Sequence, residues 1–148
     1  TFSACFGAPF LPLHPTKYAE MLSEKMQKHG VDIWLINTGW TKGPYGEGHR
    51  MKLSYTRAMI RAALQGKLNE VDYDNSNIFG LNIPQSCPEV PDDLLNPRDT
   101  WADPGDYDKK ANELAEMFVS NFEKYYDQAN DACRNAAPSL KTSVWFER

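Results

Sequence analysis

The run at residues 31–36 constrains the possible fold more tightly than any other part of the chain. It reads Val, Asp, Ile, Trp, Leu and Ile, which is too short for a helix and rich in the side chains that strands favour. Because the run is apolar at nearly every position, it predicts a strand buried on both faces, as in a sheet covered by helices. A glycine-rich stretch and a helical pattern follow it, and this order of strand, loop and helix indicates an α/β fold.

Three segments carry the apolar spacing of amphipathic helices. The first begins at Pro15 and stops at Gly30, and the second begins at Ser54 or its neighbour and stops at Gly66. The third starts at residues 103–104 and keeps its apolar stripe over about five turns. These stripes predict three helices that each bury one face.

The rest of the chain offers little sheet for these helices to cover. Residues 78–81 predict an edge strand, and the stretch that follows is kept irregular by four prolines at positions 84, 88, 91 and 97. Residues 2–7 are apolar and rich in small residues from the start of the sequence, as expected of an interior strand. We therefore expect the chain to be a piece of a larger protein, with apolar faces that lack their partner within this sequence.

The overall charge and the cysteines exclude several classes of partner and location. The 148 residues include 20 acidic and 16 basic side chains, for a net charge of -4, so no positive field is available for nucleic acid or an anionic membrane. No apolar stretch approaches the roughly 20 residues that span a bilayer, and no signal-peptide pattern opens the chain. Cys5, Cys87 and Cys133 lie far apart, which predicts reduced thiols and a cytoplasmic location.

Residues 37–50 hold the strongest functional signal. They are rich in glycine, carry three basic side chains and follow the predicted strand. Glycines let backbone amides approach an anion or a ring, and the start of the next helix adds a positive dipole end, so a nucleotide fits this stretch. Gly43 and Gly48 have the spacing of a Walker A loop, but His49 and Arg50 follow in place of the required lysine and hydroxyl residue. A turn-rich surface loop therefore stays open as an alternative.

Two residues near the start of the second helix are candidate ligand contacts. The Arg50 guanidinium can stack on a base or pair with a phosphate, and the Thr56 hydroxyl can bond a base edge. A surface ion pair for Arg50 and a helix cap for Thr56 are the alternatives. His14, next to Pro15, is interpreted as a structural hydrogen-bonding residue, and Cys5 has no base beside it in the sequence. The residues thus predict no catalytic pair and no metal site in this chain.

The charged residues at 92–93 and 106–110 are interpreted as solvated side chains and helix-start acids.

Five ordered blocks of the chain carry a family resemblance, and they are residues 2–10, 13–19, 37–40, 48–50 with 55–58, and 96–101. These blocks resemble the C-terminal part of the ATP-dependent phosphoenolpyruvate carboxykinase family, and the resemblance runs from residue 2 to about residue 126. The chain departs from the family pattern at Lys42, where the family more often has glycine, and residues 141–148 match no pattern of the family.

The resemblance implies an enzyme, a lyase of gluconeogenesis, that decarboxylates oxaloacetate and uses ATP to form phosphoenolpyruvate, CO2 and ADP. Its cofactors are ATP with Mg²⁺ and Mn²⁺, whose ligands are expected upstream of this chain. In this sequence the resemblance assigns Arg50, Met51 and Thr56 to ATP, around the adenine and ribose. It implies an α/β fold, namely the C-terminal part of the P-loop-containing mononucleotide-binding domain over residues 1–126, followed by a tail at 127–148.

On this interpretation the segment positions the nucleotide and is inactive without the missing N-terminal part of the same protein. A homo-oligomer is a further possible partner. Two alternatives come from other classes of protein. One is a non-catalytic module that binds a protein or sugar through Trp40, Tyr45 and Arg50. The other is a homologue that has kept the fold and lost catalysis.

Overall fold

The computed structural model describes residues 7–76 and 78–140, with the side chain of Ala8 excepted. The interior strand expected within residues 2–7 falls mainly outside this range, as do residues 141–148. None of the helices in the described part is long and apolar enough to cross a membrane.

All three predicted helices are confirmed. Helix α1 spans Pro15–His29, α2 spans Leu53–Leu64 and α3 spans Pro104–Phe122. A fourth, short helix that the sequence pattern did not predict, α4, spans Asp131–Asn135 and is capped by the Asn130 side chain. The third helix ends before residue 126 because the chain tightens into a 3₁₀ turn at Glu123–Gln128.

Local capping chemistry sets the ends of α1. The His14 ring nitrogen Nδ1 lies 2.8 Å from the Thr16 hydroxyl and 3.5 Å from the Thr16 amide, so the structural role predicted for His14 is confirmed. At the other end Gly30 adopts a φ of 58° and donates its amide to the Met26 carbonyl at 2.9 Å. Glycine accepts this left-handed conformation without a steric penalty, and it therefore ends the helix.

The strand predicted at residues 31–36 is wrong. This segment is irregular; Val31 and Ile33 are each 54% exposed and Leu35 is 78% exposed, whereas Trp34 and Ile36 are half-buried. A strand exists only when a neighbouring strand accepts and donates its backbone hydrogen bonds. No strand within residues 7–76 and 78–140 pairs with this run, so the run does not form a strand there despite its high β propensity.

The edge strand predicted at residues 78–81 is also wrong, because those residues turn the chain. Strand β3 (Tyr73–Asn75) and strand β4 (Asn82–Pro84) pair antiparallel on either side of the turn. Gly80 has a φ of 63° and donates its amide to the Ser76 carbonyl at 2.8 Å, which reverses the chain. Pro84, predicted to lie in irregular chain, instead ends β4 opposite Tyr73, whereas residues 85–100 form only short 3₁₀ turns and one isolated bridge, as their prolines predict.

The chain divides into two compact units. One consists of Thr1–Ile33 with Met117–Ala137, where α1 packs on the turn at Glu123–Gln128. The other consists of Trp34–Glu116 with Pro138–Arg148, and its two small cores are built mainly from small side chains. These cores are Ala58, Ala62, Leu68, Cys87 and Val90 in one, and Ile78, Ala111 and Ala115 in the other. The fold is thus a mixture of helices with small antiparallel sheets.

Candidate nucleotide-binding site

The glycine-rich stretch folds into a β-hairpin. Strand β1 (Trp40–Thr41) pairs antiparallel with strand β2 (His49–Arg50), with Trp40 opposite Arg50. The Met51 amide continues the ladder by donating to the Gly39 carbonyl at 2.8 Å. The sequence pattern predicted only a loop, because two-residue strands are too short to show alternation.

Glycine is required at the neck of this hairpin. Gly48 is buried, and a Cβ atom built on it would lie 2.6 Å from the carbonyl oxygens of both Thr41 and Gly43. Gly43 and Gly46 have φ values of 138° and 96°, which side-chain-bearing residues rarely adopt. These glycines bring the two short strands together and leave the tip of the hairpin at the surface.

Arg50 ends the hairpin with an exposed side chain. No carboxylate among the residues that the structure describes forms an ion pair with its guanidinium, so the alternative role in a surface ion pair is not realised there. Residues directly opposite in an antiparallel pair share a face, so Arg50 and Trp40 lie on the same side of the hairpin. Met51, half-buried, connects this strand to α2.

The N-terminus of α2 lies three residues after Arg50 and has no side-chain cap. Lys52 occupies the cap position, and its carbonyl accepts the amides of Tyr55 and Thr56 at 3.0 Å and 3.2 Å. Thr56 is the fourth residue of the helix and only 8% exposed, so the alternative role as a helix cap is wrong. The first amides of an uncapped helix and its dipole make this a favourable place for negative charge.

An aromatic pair stands at the surface of the hairpin. The rings of Trp40 and Tyr45 meet edge to face with centroids 5.1 Å apart, and Tyr45 is 83% exposed. Asn37 supports the start of β1, because its side chain accepts the Gly39 amide at 2.8 Å and donates to the Trp40 carbonyl at 3.0 Å. The hairpin therefore presents a large aromatic surface together with a guanidinium that has no acidic partner within residues 7–76 and 78–140.

A cleft of about 260 Å³ separates the tip of the hairpin from the start of α3. Its lining includes lysines and carboxylates in similar number, with Trp101 among them. The Lys110 ammonium bonds Glu113 at 2.7 Å, which lowers the pKa of that carboxyl. No group of three or more histidine, cysteine or acidic side chains that could hold a metal ion occurs within residues 7–76 and 78–140.

One part of the charge interpretation is corrected by the structure. The sequence pattern predicts a solvated helix-start acid at Asp108, but this carboxylate receives a two-pronged hydrogen bond from Arg98 at 2.9 Å and 3.0 Å. The partner lies in the block at residues 96–101, which carries the family resemblance but received no role from the sequence. That resemblance was the one signal that could have drawn attention to it.

The family model and the curated proteins that match this chain all carry the name of one enzyme family. A family model described as phosphoenolpyruvate carboxykinase matches residues 1–93. Curated proteins named phosphoenolpyruvate carboxykinase (ATP) are similar along most of the chain. The protein of Christiangramia forsetii is 60% identical over 138 residues, and that of Flavobacterium johnsoniae is 63% identical over 137 residues. The protein of Thermus thermophilus is 52% identical over 138 residues.

These alignments cover 93% of this chain and 26% of each relative. The chain thus spans about a quarter of the length of the curated relatives it matches, and the match is to a C-terminal segment of them.

Proposed function

This chain belongs to the ATP-dependent phosphoenolpyruvate carboxykinase family, and we propose that it supplies nucleotide-binding residues to such an enzyme. The complete enzyme would convert oxaloacetate and ATP to phosphoenolpyruvate, CO2 and ADP, at the gluconeogenic branch point. Decarboxylation leaves an enolate, whose oxygen attacks the γ-phosphoryl group of ATP. The reaction therefore depends on holding ATP in line with that oxygen.

In this proposal residues 1–126 form the last part of the P-loop-containing mononucleotide-binding domain, and residues 127–148 form its tail. The exposed side chains of Val31, Ile33 and Leu35 support this placement, because a surface supplied by the rest of the protein would bury them. Mg²⁺ and Mn²⁺ belong to the proposed reaction, but the described residues do not fit a metal ion. We assign both ions to a part of the protein outside this chain.

The free thiols of Cys87 and Cys133 agree with the cytoplasmic location that the proposal includes.

One observation carries the role of this segment: Arg50 is exposed and lacks an acidic partner among the described residues, beside the uncapped start of α2. A guanidinium that is not used in an ion pair can stack on the adenine or bond a phosphate oxygen. Met51 and Thr56 lie on either side of the helix start, and we assign them to the adenine and ribose. The segment would hold the nucleotide while residues elsewhere carry out the chemistry.

The replacement Arg50→Ala in the complete carboxykinase tests this role. Loss of one charge-assisted contact of about 1 to 3 kcal/mol is expected to raise the KM for ATP by about ten- to a hundredfold. The KM for oxaloacetate should change little, because Arg50 is assigned to the nucleotide alone. Steady-state kinetics with each substrate varied in turn gives both values.

Arg61→Ala is the matched control, because it removes an exposed arginine whose guanidinium pairs with Glu89 at 2.9 Å. Exposed ion pairs contribute little, so the KM for ATP should not move in this variant. Unchanged ATP kinetics in Arg50→Ala would reject the nucleotide role. A complete protein that forms no phosphoenolpyruvate from oxaloacetate and ATP would favour the non-catalytic alternatives.

A further inference from the structure

The block at residues 96–101 forms a compact turn that the proposed function does not explain. A 3₁₀ turn spans Pro97–Thr100 and is capped by Asn96, whose side-chain oxygen accepts the Arg98 amide at 3.3 Å. The amide group of the same side chain donates to the Asp99 carboxylate at 2.8 Å. The turn is therefore held by its own side chains.

The same turn is fixed to α3 by one arginine. Arg98 donates from Nε and from its terminal nitrogen to the two carboxylate oxygens of Asp108, at 2.9 Å and 3.0 Å. A two-pronged bond of this kind fixes the relative orientation of its two partners as well as their distance. The turn thus has a defined position on the first turns of α3.

Thr100 connects this fixed turn to the hairpin. Its hydroxyl donates to the Pro97 carbonyl at 2.7 Å and accepts the backbone amide of Lys42 at 3.3 Å. Because the hydroxyl proton is used on Pro97, an oxygen lone pair is left to face the Lys42 amide. Lys42 and Thr100 are 58 residues apart in sequence, so this contact joins two otherwise separate segments of the same compact unit.

Lys42 has an unusual backbone conformation at the point where β1 leads into the turn of the hairpin. It follows β1 directly and adopts a φ of 64°, one of the two left-handed residues other than glycine in the described chain. This conformation is unfavourable for a lysine and persists only where surrounding contacts enforce it. The residue after it, Gly43, begins the turn that leads to Gly48 and β2.

We propose that Thr100 is a positioning residue for the nucleotide site, acting through the Lys42 backbone on the hairpin that carries Arg50. The inference rests on the proposed function, because it takes Arg50 as the nucleotide contact. Thr100 touches neither substrate nor nucleotide in this account. It holds Lys42 in its left-handed conformation and so sets the path of the strand that presents Arg50.

The test compares Thr100→Val with Thr100→Ser in the complete carboxykinase. Valine keeps the shape but removes both hydrogen bonds, and the KM for ATP should rise by about three- to tenfold with the KM for oxaloacetate unchanged. Serine keeps the hydroxyl and should restore the ATP value. Tyr73→Phe is the matched control, because it removes one bond from a side-chain hydroxyl to a backbone carbonyl, that of Leu68, elsewhere in the same unit.

Hydrogen exchange supplies a readout that does not depend on activity. The peptide covering residues 40–50 should exchange faster in Thr100→Val than in the parent or in Thr100→Ser. In the double variant Thr100→Val with Arg50→Ala, the KM for ATP should equal that of Arg50→Ala alone, because both changes act at one contact. Lys42→Gly, which removes the strain at residue 42, should reduce the effect of Thr100→Val.

Each contrary outcome is informative. Unchanged exchange in residues 40–50 of Thr100→Val overturns this inference and leaves the nucleotide role of Arg50 intact. Faster exchange with an unchanged KM for ATP also overturns it, because the hairpin path would then not matter to the nucleotide. An unchanged KM for ATP in Arg50→Ala itself would reject the proposed function first, and this inference with it.

Discussion

Single residues decide whether the hairpin can form. Gly48 is the clearest case, since the space that a Cβ atom would need is already taken by the carbonyl oxygens of Thr41 and Gly43. Both of these atoms belong to the backbone, so neither can move away as a flexible side chain would. Gly39, in the same segment, differs from it: a Cβ there would meet only the Asn37 side chain, at an ordinary 3.5 Å.

Gly48→Ala should therefore destabilise the protein where Gly39→Ala does not. Overpacking against fixed backbone is expected to lower the free energy of unfolding by about 1 to 3 kcal/mol. Denaturant titration of the complete enzyme measures this value. Equal midpoints for the two variants would contradict the steric account of Gly48.

A buried thiol gives a second prediction at this scale. Burial in the core beside Ala62 and Leu68 raises the pKa of the Cys87 thiol, with smaller contributions from Asp92 and Glu89. The thiolate is the reactive form, so Cys87 should be alkylated more slowly than the half-buried Cys133. Peptide-resolved mass spectrometry after a brief iodoacetamide pulse reports the two rates, and denaturant should make them equal.

The raised pKa of the Cys87 thiol also predicts how the free energy of unfolding changes with pH. In the unfolded chain the thiol loses its proton above about pH 8.5, whereas in the folded chain it keeps the proton to a higher pH. The folded state thus binds more protons in that window, and the free energy of unfolding falls as the pH rises through it. Cys87→Ala should flatten this part of the stability profile; a parallel profile would refute the assignment.

Helices in this chain are delimited by their own end residues. His14 caps the start of α1, Gly30 closes its end and Asn130 caps α4, each through a hydrogen bond to a residue no more than four positions away. Such short-range chemistry forms whether or not the rest of the protein is present. It explains why the sequence pattern located the bounds of α1, whereas α2 and α3 are located mainly by their apolar stripes.

Gly30 offers a test of this local control. Gly30→Ala places a side chain at a φ of 58°, which should cost about 1 kcal/mol even though no atom crowds the site. Gly30→Asn should lose less, because asparagine tolerates the left-handed conformation better than alanine. Thermal unfolding of the two variants side by side gives the order, and a reversed order would refute it.

At the scale of the whole molecule, the described chain leaves many apolar side chains at its surface. Leu35 is 78% exposed, Leu64 84% and Phe10 85%, and no large side chain in the described part is fully buried. Stable proteins of this length rarely expose so much apolar surface. The curated relatives are about four times longer than this chain, and additional residues of that kind would be available to cover the exposed apolar surface.

Leu35→Asp should accordingly lower the stability of the complete carboxykinase, although the Leu35 side chain is exposed in this segment. If the run at residues 31–36 is buried there, a charge at its centre should lower the melting temperature by several degrees. Leu35→Met, which keeps the volume and the apolar character, is the control and should have little effect. An unchanged melting temperature for Leu35→Asp would show that this run stays exposed.

Helices and site candidates could be predicted from the chain because their determinants are close in sequence. A proline, a left-handed glycine and an apolar stripe act over a single turn or a few turns, and the family resemblance singled out Arg50, Met51 and Thr56. The strands at residues 31–36 and 78–81 were predicted wrongly, because a strand requires a partner that its own residues do not specify. The hairpin register and the pairing of Arg98 with Asp108 join residues up to ten positions apart, and the bond from Lys42 to Thr100 joins residues 58 positions apart. Only the tertiary structure brings those groups together, because hydrogen bonds form over a few ångströms and produce no periodic pattern in the sequence.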